Sequence, residues 1–392
     1  MNFNFQKFSK LFADYQMPFV RSKDTIGIDI GNYSVKVVLM KRVGNKWQLQ
    51  KYASEPIYQI QEGNTAPSPA EKKQVTVAAI KKLLLENKIT IRYAATSVSG
   101  NSVIVRYVKF PKLTYQQLAK TIHIEAESYI PFAVQDVNIG FQILEDVMED
   151  GAQKMDTLLV ATKKEVIQNK VDILAEAGLL PVVIDVDSLA VENALSINIP
   201  EEDVKKPFMV VNCGMLTTNI SIIENGKSRV VRDIFIAGDT FTKAIQRSMQ
   251  TNWKQAEEYK IKYGIGDITA SQPSDIAEKV GSEQTKSQVT SSLVFALKEL
   301  ILEIQRSIDY YQTQGQGPVE NRIEKIYLSG GGMLLKNVSA HLQSELHLPV
   351  EVFNPFRKIS NEAAMLADQD LTFSQYAVAV GLATRYKKDT EI

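Results

Sequence analysis

Short runs of apolar residues broken by single polar ones open the chain: Ile26-Gly27-Ile28-Asp29-Ile30, then Val35-Lys36-Val37-Val38-Leu39, then Trp47-Gln48-Leu49-Gln50 after a turn at Gly44-Asn45. This pattern predicts strands over residues 24 to 60. Residues 63 to 69 read as a loop, and Glu71 to Glu86 carries Val75, Ala79 and Leu83 at helical spacing. Strand character resumes at Ala94 to Val98 and Val103 to Val108.

A different unit begins at Pro111. Leu118, Ile122, Ala126 and Tyr129 fall on one helical face that ends at Ile130-Pro131-Phe132. A strand (Asn138 to Leu144), the acidic turn Glu149-Asp150-Gly151, a strand (Thr157 to Ala161), a helix (Lys164 to Ala177) and the strand Pro181 to Asp185 follow. That order describes a small α+β module inserted into a larger fold. Beyond it, Ser188 to Leu195 predicts a helix and Pro200 to Pro207 a charged linker. Phe241 to Met249 and Trp253 to Tyr263 predict two helices, and Gly264 to Ser287 is polar and loop-rich. Ser292 to Tyr311 predicts a long helix with Leu297, Ile301, Ile304 and Ile308 on one stripe. Ile326-Tyr327-Leu328 reads as a strand that runs into Ser329-Gly330-Gly331-Gly332, with a helix from Leu334 onward.

One strand pair occurs twice. Ile28-Asp29-Ile30-Gly31-Asn32-Tyr33-Ser34 aligns without a gap on Val211-Asn212-Cys213-Gly214-Met215-Leu216-Thr217, since subtracting 29 from 212 and 31 from 214 gives 183 both times. Each copy leads into a second apolar strand, Val35 to Leu39 in one case and Asn219 to Ile223 in the other. The alternation of strands and helices, begun twice by the same hairpin, predicts an α/β fold of duplicated lobes facing a central cleft.

Composition narrows the class. The 392 residues are 44% hydrophobic and 23% charged, which suits a globular protein of two or more lobes. Forty-five basic and 45 acidic residues cancel, so no global field draws the chain to nucleic acid or an anionic membrane. One cysteine excludes an internal disulfide framework, and three histidines give little material for a zinc site. No run reaches the ~18 apolar residues of a membrane span, and a cytosolic location follows most simply. The first 23 residues, with Phe3, Phe5, Phe8, Leu11 and Phe12 among Lys and Gln, have two readings: an extension docked on the protein itself, or an amphipathic helix that touches a membrane.

The hairpins carry candidate chemistry. A Gly at each turn lets backbone approach phosphate oxygens, while hydroxyls and free N–H groups supply donors. Asp29 is the candidate to hold Mg²⁺, through water, because that ion takes hard oxygen ligands. Gly330 to Gly332 follow a strand and precede a helix, where backbone N–H groups receive an anion or a flat ring, unless the run is only a flexible link. Cys213 has apolar neighbours and no nearby histidine, so it reads as a small buried hydrophobe and not as a nucleophile.

These segments resemble the phosphate-one, phosphate-two and adenosine motifs of the actin-like ATPases, with their ribonuclease H-like fold. Within that superfamily the chain is similar to the PilM family of type IV pilus assembly proteins, relatives of FtsA. HIEAESYIPF (123–132), EIQRSIDYY (303–311), EVFNPF (351–356) and YAVAVGLATR (376–385) carry the narrower likeness. The resemblance implies that ATP or ADP with Mg²⁺ is held by Asp29, Gly31, Asn32, Ser34 and Lys36 in the first loop and by Asn212, Gly214, Thr217 and Thr218 in the second. Gly238 joins them, Gly330, Gly331 and Gly332 face the adenosine, and Glu257 and Lys260 reach the ribose or base. The other reading of Glu257 and Lys260 is an ordinary i,i+3 ion pair. Asp187 lies where related ATPases position the attacking water, and it also reads as a helix N-cap. In the actin-like scheme, 1–23 is an N-terminal extension, and subdomain 1A comprises 24–106 with 181–205 and a C-terminal helix over 371–388. Residues 107–180 form the inserted subdomain 1C, 206–250 with 323–370 subdomain 2A, and 251–322 subdomain 2B.

The chain departs from the family pattern at Asn212, where Asp is usual. A neutral amide removes an anion from the Mg²⁺ shell, so hydrolysis should suffer more than binding. The resemblance implies a nucleotide-binding scaffold with slow or absent ATPase activity that binds the cytosolic N-terminal peptide of PilN. It would then lie beneath the inner-membrane platform near the pilus motors, and homo-oligomeric rings or filaments are open to it. The alternative is an FtsA-like cell-division protein or another actin-like ATPase. That tethering role uses a C-terminal amphipathic helix, and Tyr386 to Ile392 offers no apolar face. A sugar kinase would need a general base, and none is assignable.

Overall fold

The computed structural model describes residues 24–44, 46–58, 67–266, 277–314, 322–359 and 371–385. The Phe-rich extension, residues 63–66, residues 267–276 and the ending from 386 lie outside the described residues. In chain order the first part comprises β1 (Ile26–Ile30), β2 (Ser34–Val43), β3 (Lys46–Pro56), α1 (Pro69–Glu86), β4 (Tyr93–Val98), β5 (Val103–Pro111) and α2 (Tyr115–Glu125). There follow β6 (Val137–Glu149), β7 (Ala152–Lys163), α3 (Lys164–Glu176), β8 (Leu180–Val186), α4 (Asp187–Asn198) and α5 (Glu201–Val204). The remainder is β9 (Phe208–Cys213), β10 (Thr218–Glu224), β11 (Lys227–Ile234), α6 (Gly238–Met249), α7 (Trp253–Tyr263), α8 (Ala277–Gln314), β12 (Lys325–Ser329), α9 (Val338–Leu346), β13 (Val350–Val352) and α10 (Ala377–Ala383).

The duplication extends to the topology of the two sheets. One five-stranded sheet runs β3-β2-β1-β4-β8 and the other β11-β10-β9-β12-β13. In both, an antiparallel meander is followed by two parallel strands, which is the ribonuclease H-like plan. Register is duplicated as well: Asp29 pairs with Lys36 across β1–β2, and Asn212 with Asn219 across β9–β10. The backbone N–H of Gly31 donates to the Ser34 carbonyl at 3.2 Å, and that of Gly214 to the Thr217 carbonyl at 2.9 Å, so the two turns close alike.

Helices α1 and α3 cover one face of the first sheet, where Ile80, Leu83, Ile173 and Leu174 meet Ile26, Ile28, Val35 and Val37. Ser68 caps α1 in a reciprocal box with Glu71, a device worth about 1 kcal/mol. The buried stripe of α1 is Thr76, Val77, Ala79, Ile80 and Leu83; Val75 is only partly buried. Helices α4 and α10 fill the space between the sheets, with Phe353, Phe356, Phe373 and Tyr376 closing that core. They cross so closely that a Cβ on Gly381 would stand 1.7 Å from the Ala190 carbonyl oxygen, and only glycine fits there.

On the second sheet, α8 buries Leu293, Leu297, Leu300, Ile301 and Ile304. It begins at Ala277, so part of the stretch expected to be loop is helix. Val289 and Leu293 anchor that polar stretch against the sheet, a tertiary effect that local composition does not reveal. The helix expected from Leu334 also differs. A 3₁₀ turn spans Gly331–Met333, and α9 starts at Val338 after Asn337, which has φ 63°.

The inserted module is a three-stranded antiparallel sheet, β5-β7-β6, with α2 on one face. Leu118, Ile122 and Ala126 are buried as expected from their spacing, but α2 ends at Glu125 and Tyr129, in a following 3₁₀ turn, is 41% exposed. Across the molecule, Lys227 and Arg229 of β11 pair with Glu145 and Asp156 of the insert. The insert therefore braces the second lobe while α3 returns the chain to the first.

Candidate functional site

Between the lobes lies a cavity of about 370 Å³, within the usual size of small-molecule sites. The first turn contributes Asp29, Gly31, Asn32, Ser34 and Lys36 to its lining, and the second contributes Asn212, Gly214 and Thr217. Gly238, Glu257, Lys260, Gly330, Gly331, Gly332 and Asp187 also line it. Segments more than 300 residues apart thus converge, because both hairpin turns and the β12 terminus point to the same side of their sheets (subtracting 29 from 330 leaves 301).

Thr218 does not line the cavity. Its hydroxyl is buried and donates to the Ile236 carbonyl at 2.7 Å, since adjacent residues at a strand start face opposite ways and Thr217 takes the cleft side.

The pairing chemistry of the two hairpins differs. Lys36 donates to the Asp29 carboxylate at 3.0 Å, a partly buried ion pair. In the second hairpin the Asn212 side-chain amide donates to the Asn219 carbonyl oxygen at 2.8 Å. Asn219 in turn donates to Asp233 at 2.7 Å, and the other Asp233 oxygen accepts from the Gly100 backbone N–H at 2.6 Å. Asn212 is therefore the first member of a hydrogen-bonded chain that reaches the opposite lobe. Burial raises the Asp233 carboxyl, opposed by the Asn219 and Gly100 donors.

Glu257 and Lys260 form an ion pair at 2.6 Å and both line the cavity; the pair is largely buried, and so is not an ordinary exposed one. Lys260 also donates to the Gly238 carbonyl at 3.2 Å and to the Thr242 hydroxyl at 2.8 Å, which locks α7 to the start of α6. The N-cap of α4 is Val186, with no side-chain cap bond, so Asp187 is not consumed as a cap. Burial raises the Asp187 carboxyl, the Asp29 charge adds to this, and hydrogen bonds from Ser97 and Ser99 oppose it.

Gly330 has φ 87°, and its N–H donates to the Ser374 carbonyl at 3.1 Å. Cys213 is fully buried beneath this loop, with its thiol pushed up to about 11 by burial, so it is a packing residue and not a nucleophile.

Three participants carry no local sequence signal. Lys170 reaches the cavity from α3, Ser99 from the end of β4, and Trp253 from the start of α7. Trp253 donates its indole N–H to Asp239 at 2.8 Å and packs in a tilted arrangement on Tyr58 with ring centroids 4.6 Å apart, so an aromatic contact joins the two lobes.

Among the described residues no group of three or more His, Cys, Asp or Glu is placed to hold a metal ion, and none of the helices is long and apolar enough to cross a membrane. Protein donors alone do not make a metal site here; phosphate oxygens would have to complete one, with Asp29 contributing from the chain.

The family described as "Type IV pilus assembly protein PilM" matches residues 27–387. Among solved structures, one chain of a PilM-PilN type IV pilus biogenesis complex superposes with a TM-score of 0.76 at 27% identity, covering 96% of this chain and 100% of that one. The ethanolamine utilization protein EutJ of Carboxydothermus hydrogenoformans shares the fold at a TM-score of 0.53 and 14% identity, over 97% of this chain and 98% of its own. The cell division protein FtsA of Neisseria meningitidis serogroup B is 25% identical over 332 residues, which is 78% of this chain and 77% of that protein.

Proposed function

The chain belongs to the family of type IV pilus assembly proteins PilM, and on that premise we propose that it is a nucleotide-binding scaffold of the pilus assembly platform. In this reading ATP or ADP occupies the cavity between the hairpin turns, and the N-terminal peptide of a PilN protein docks near the inserted module. The observation that carries the nucleotide is the matched pair of turns, each closed by the same N–H···O=C bond, facing one cavity with the Gly330–Gly332 loop on its third side. Phosphates would sit between the turns, adenosine against the glycine loop, and Mg²⁺ at the phosphates near Asp29. The relative whose solved structure is a PilM-PilN complex supports the partner. Through such a partner the protein would be held at the inner membrane indirectly.

Turnover is expected to be slow. Asn212 offers an amide where a carboxylate would order Mg²⁺ waters, and Asp29 is already paired with Lys36. Adenine nucleotide should co-purify with the full-length protein and be detectable by mass spectrometry after denaturation. A synthetic peptide from the N-terminus of the PilN protein should slow hydrogen exchange within residues 103–163. Absence of nucleotide together with no binding of added ATP would sink the cleft assignment, and peptide protection confined to other residues would relocate the partner.

The Asn212 chain makes a second expectation specific. Asn212→Asp sets a carboxylate against the Asn219 oxygen, and turning that amide over would aim its oxygen at Asp233. The single substitution should cost roughly 1–3 kcal/mol, measured as a lower thermal midpoint. Adding Asn219→Lys rebuilds the pairing of the first hairpin and should recover stability and raise ATP hydrolysis. A double variant as unstable as the single one would refute this account of Asn212.

A further inference from the structure

We propose that Lys170 is a phosphate ligand of the bound nucleotide, supplied by the helix that leaves the inserted sheet, and that it couples phosphate occupancy to that sheet. The proposal rests on the nucleotide reading above and adds to it a residue and a route of communication.

Lys170 stands on α3, which starts at the residue after β7 ends, and β7 is the central strand of the β5-β7-β6 sheet. No linker separates strand from helix. Ile173 and Leu174 fix α3 on the first-lobe core, and one turn earlier Lys170 extends into the cavity. Its ammonium donates to the Ile30 carbonyl at 3.0 Å, between Asp29 and Gly31 of the first phosphate turn.

Among the lysines that line the cavity, charge matching singles this one out: Lys36 is paired with Asp29 and Lys260 with Glu257, while Lys72, outside the lining, donates to the Asn32 side-chain oxygen at 2.7 Å. Among the described residues no carboxylate lies within ion-pair distance of Lys170, so its one hydrogen bond is to a neutral carbonyl. An ammonium has three donors, and a partly buried one with donors to spare in a phosphate-sized cleft is suited to a polyanion. Burial lowers its affinity for the proton, and the fields of Asp187 and Asp29 restore part of it. Lys170 supplies fixed positive charge where Asp29 and Asp187 face the cavity.

Coupling follows from where the insert is held. Its far side is paired with β11 of the second lobe through Glu145 and Asp156, and the middle of its outgoing helix touches the first-lobe turn through Lys170. A phosphate that draws Lys170 inward pulls on α3 and hence on β7.

The test uses the full-length protein as wild type, Lys170→Gln and Lys170→Arg, titrated with ATP by calorimetry in Mg²⁺ and in EDTA. Hydrogen exchange of residues 152–163 is followed with and without saturating ATP. Lys170→Gln should weaken ATP at least tenfold, by a larger factor in EDTA than in Mg²⁺, and Lys170→Arg should keep most of the affinity. ATP should slow exchange in 152–163 of the wild type and not of Lys170→Gln. Should Lys170→Gln lose its circular dichroism, Lys170→Met, which keeps the apolar stem, is read in its place. A neutral variant that binds within twofold of wild type in both buffers overturns the ligand role, and unchanged wild-type exchange in 152–163 overturns the coupling. A wild type that binds no ATP is a different result: it overturns the nucleotide reading itself.

Discussion

Arg385→Met is expected to lower stability by about 3–5 kcal/mol, read as a shift in the midpoint of urea unfolding. Arg385 follows α10 and is 2% exposed, and its guanidinium donates to the Asp185 carboxylate on β8 through Nε at 2.6 Å and Nη2 at 2.5 Å. Asp185 is 3% exposed and its second oxygen accepts from the Val186 N–H at 2.8 Å. Methionine would fill much of the volume but leave the carboxylate uncompensated in the core between the sheets, and this uncompensated charge is the source of the cost. Asp185→Leu with Arg385→Met removes both charges and should recover most of the loss. If the double variant were as unstable as the single one, the pair would not be what holds α10 to the first sheet. The expected phenotype is global, because α10 also lines the cavity between the lobes through Val378.

Gly330→Ala is expected to abolish nucleotide binding, whereas Gly331→Ala should leave the fold intact. At Gly330 the backbone has φ 87° and ψ 154°, a region costing other residues roughly 1–3 kcal/mol. A Cβ there would also stand 2.2 Å from the Cys213 carbonyl oxygen, so the loop must lift from β9. Lifting breaks the bond from Gly330 N–H to Ser374 and opens the side of the cavity assigned to adenosine. At Gly331 the nearest neighbour of an added Cβ is the Gln375 Cβ at 4.0 Å, which is ordinary contact. ATP titration and thermal midpoints of the two variants separate them; equal ATP affinity in both would mean that this loop does not shape the site.

Much of this architecture was legible in the order of residues. The repeated Asp-x-Gly and Asn-x-Gly turns, at a constant offset, announced two equivalent hairpins, and the structure gives them the same sheet order, register and turn closure. Asp29, Gly31, Asn32, Ser34 and Lys36 reach the cavity together because a hairpin turn is a local object built within eight residues, 29 to 36. The Gly330 loop was legible for the same reason. Boundaries fared less well where tertiary contacts overrule local composition: α8 extends back to Ala277, and Tyr129 leaves the buried face of α2 once the helix tightens into a 3₁₀ turn.

What the sequence by itself determined is the plan: two ribonuclease H-like lobes, an inserted α+β module, and a cleft rimmed by two turns and a glycine loop. Alternation, periodicity and turn chemistry act over a few residues, and a linear pattern records them fully. Only the tertiary structure decided which side chains meet across the cleft. It paired Asn212 with Asn219 and carried that chain on to Asp233 and Gly100, turned Thr218 away, and brought Lys170 from the insert to the Ile30 carbonyl. Such contacts depend on how two sheets and a third are oriented in space, and no residue near Lys170 in the chain announces that its ammonium lies against a strand 140 positions away.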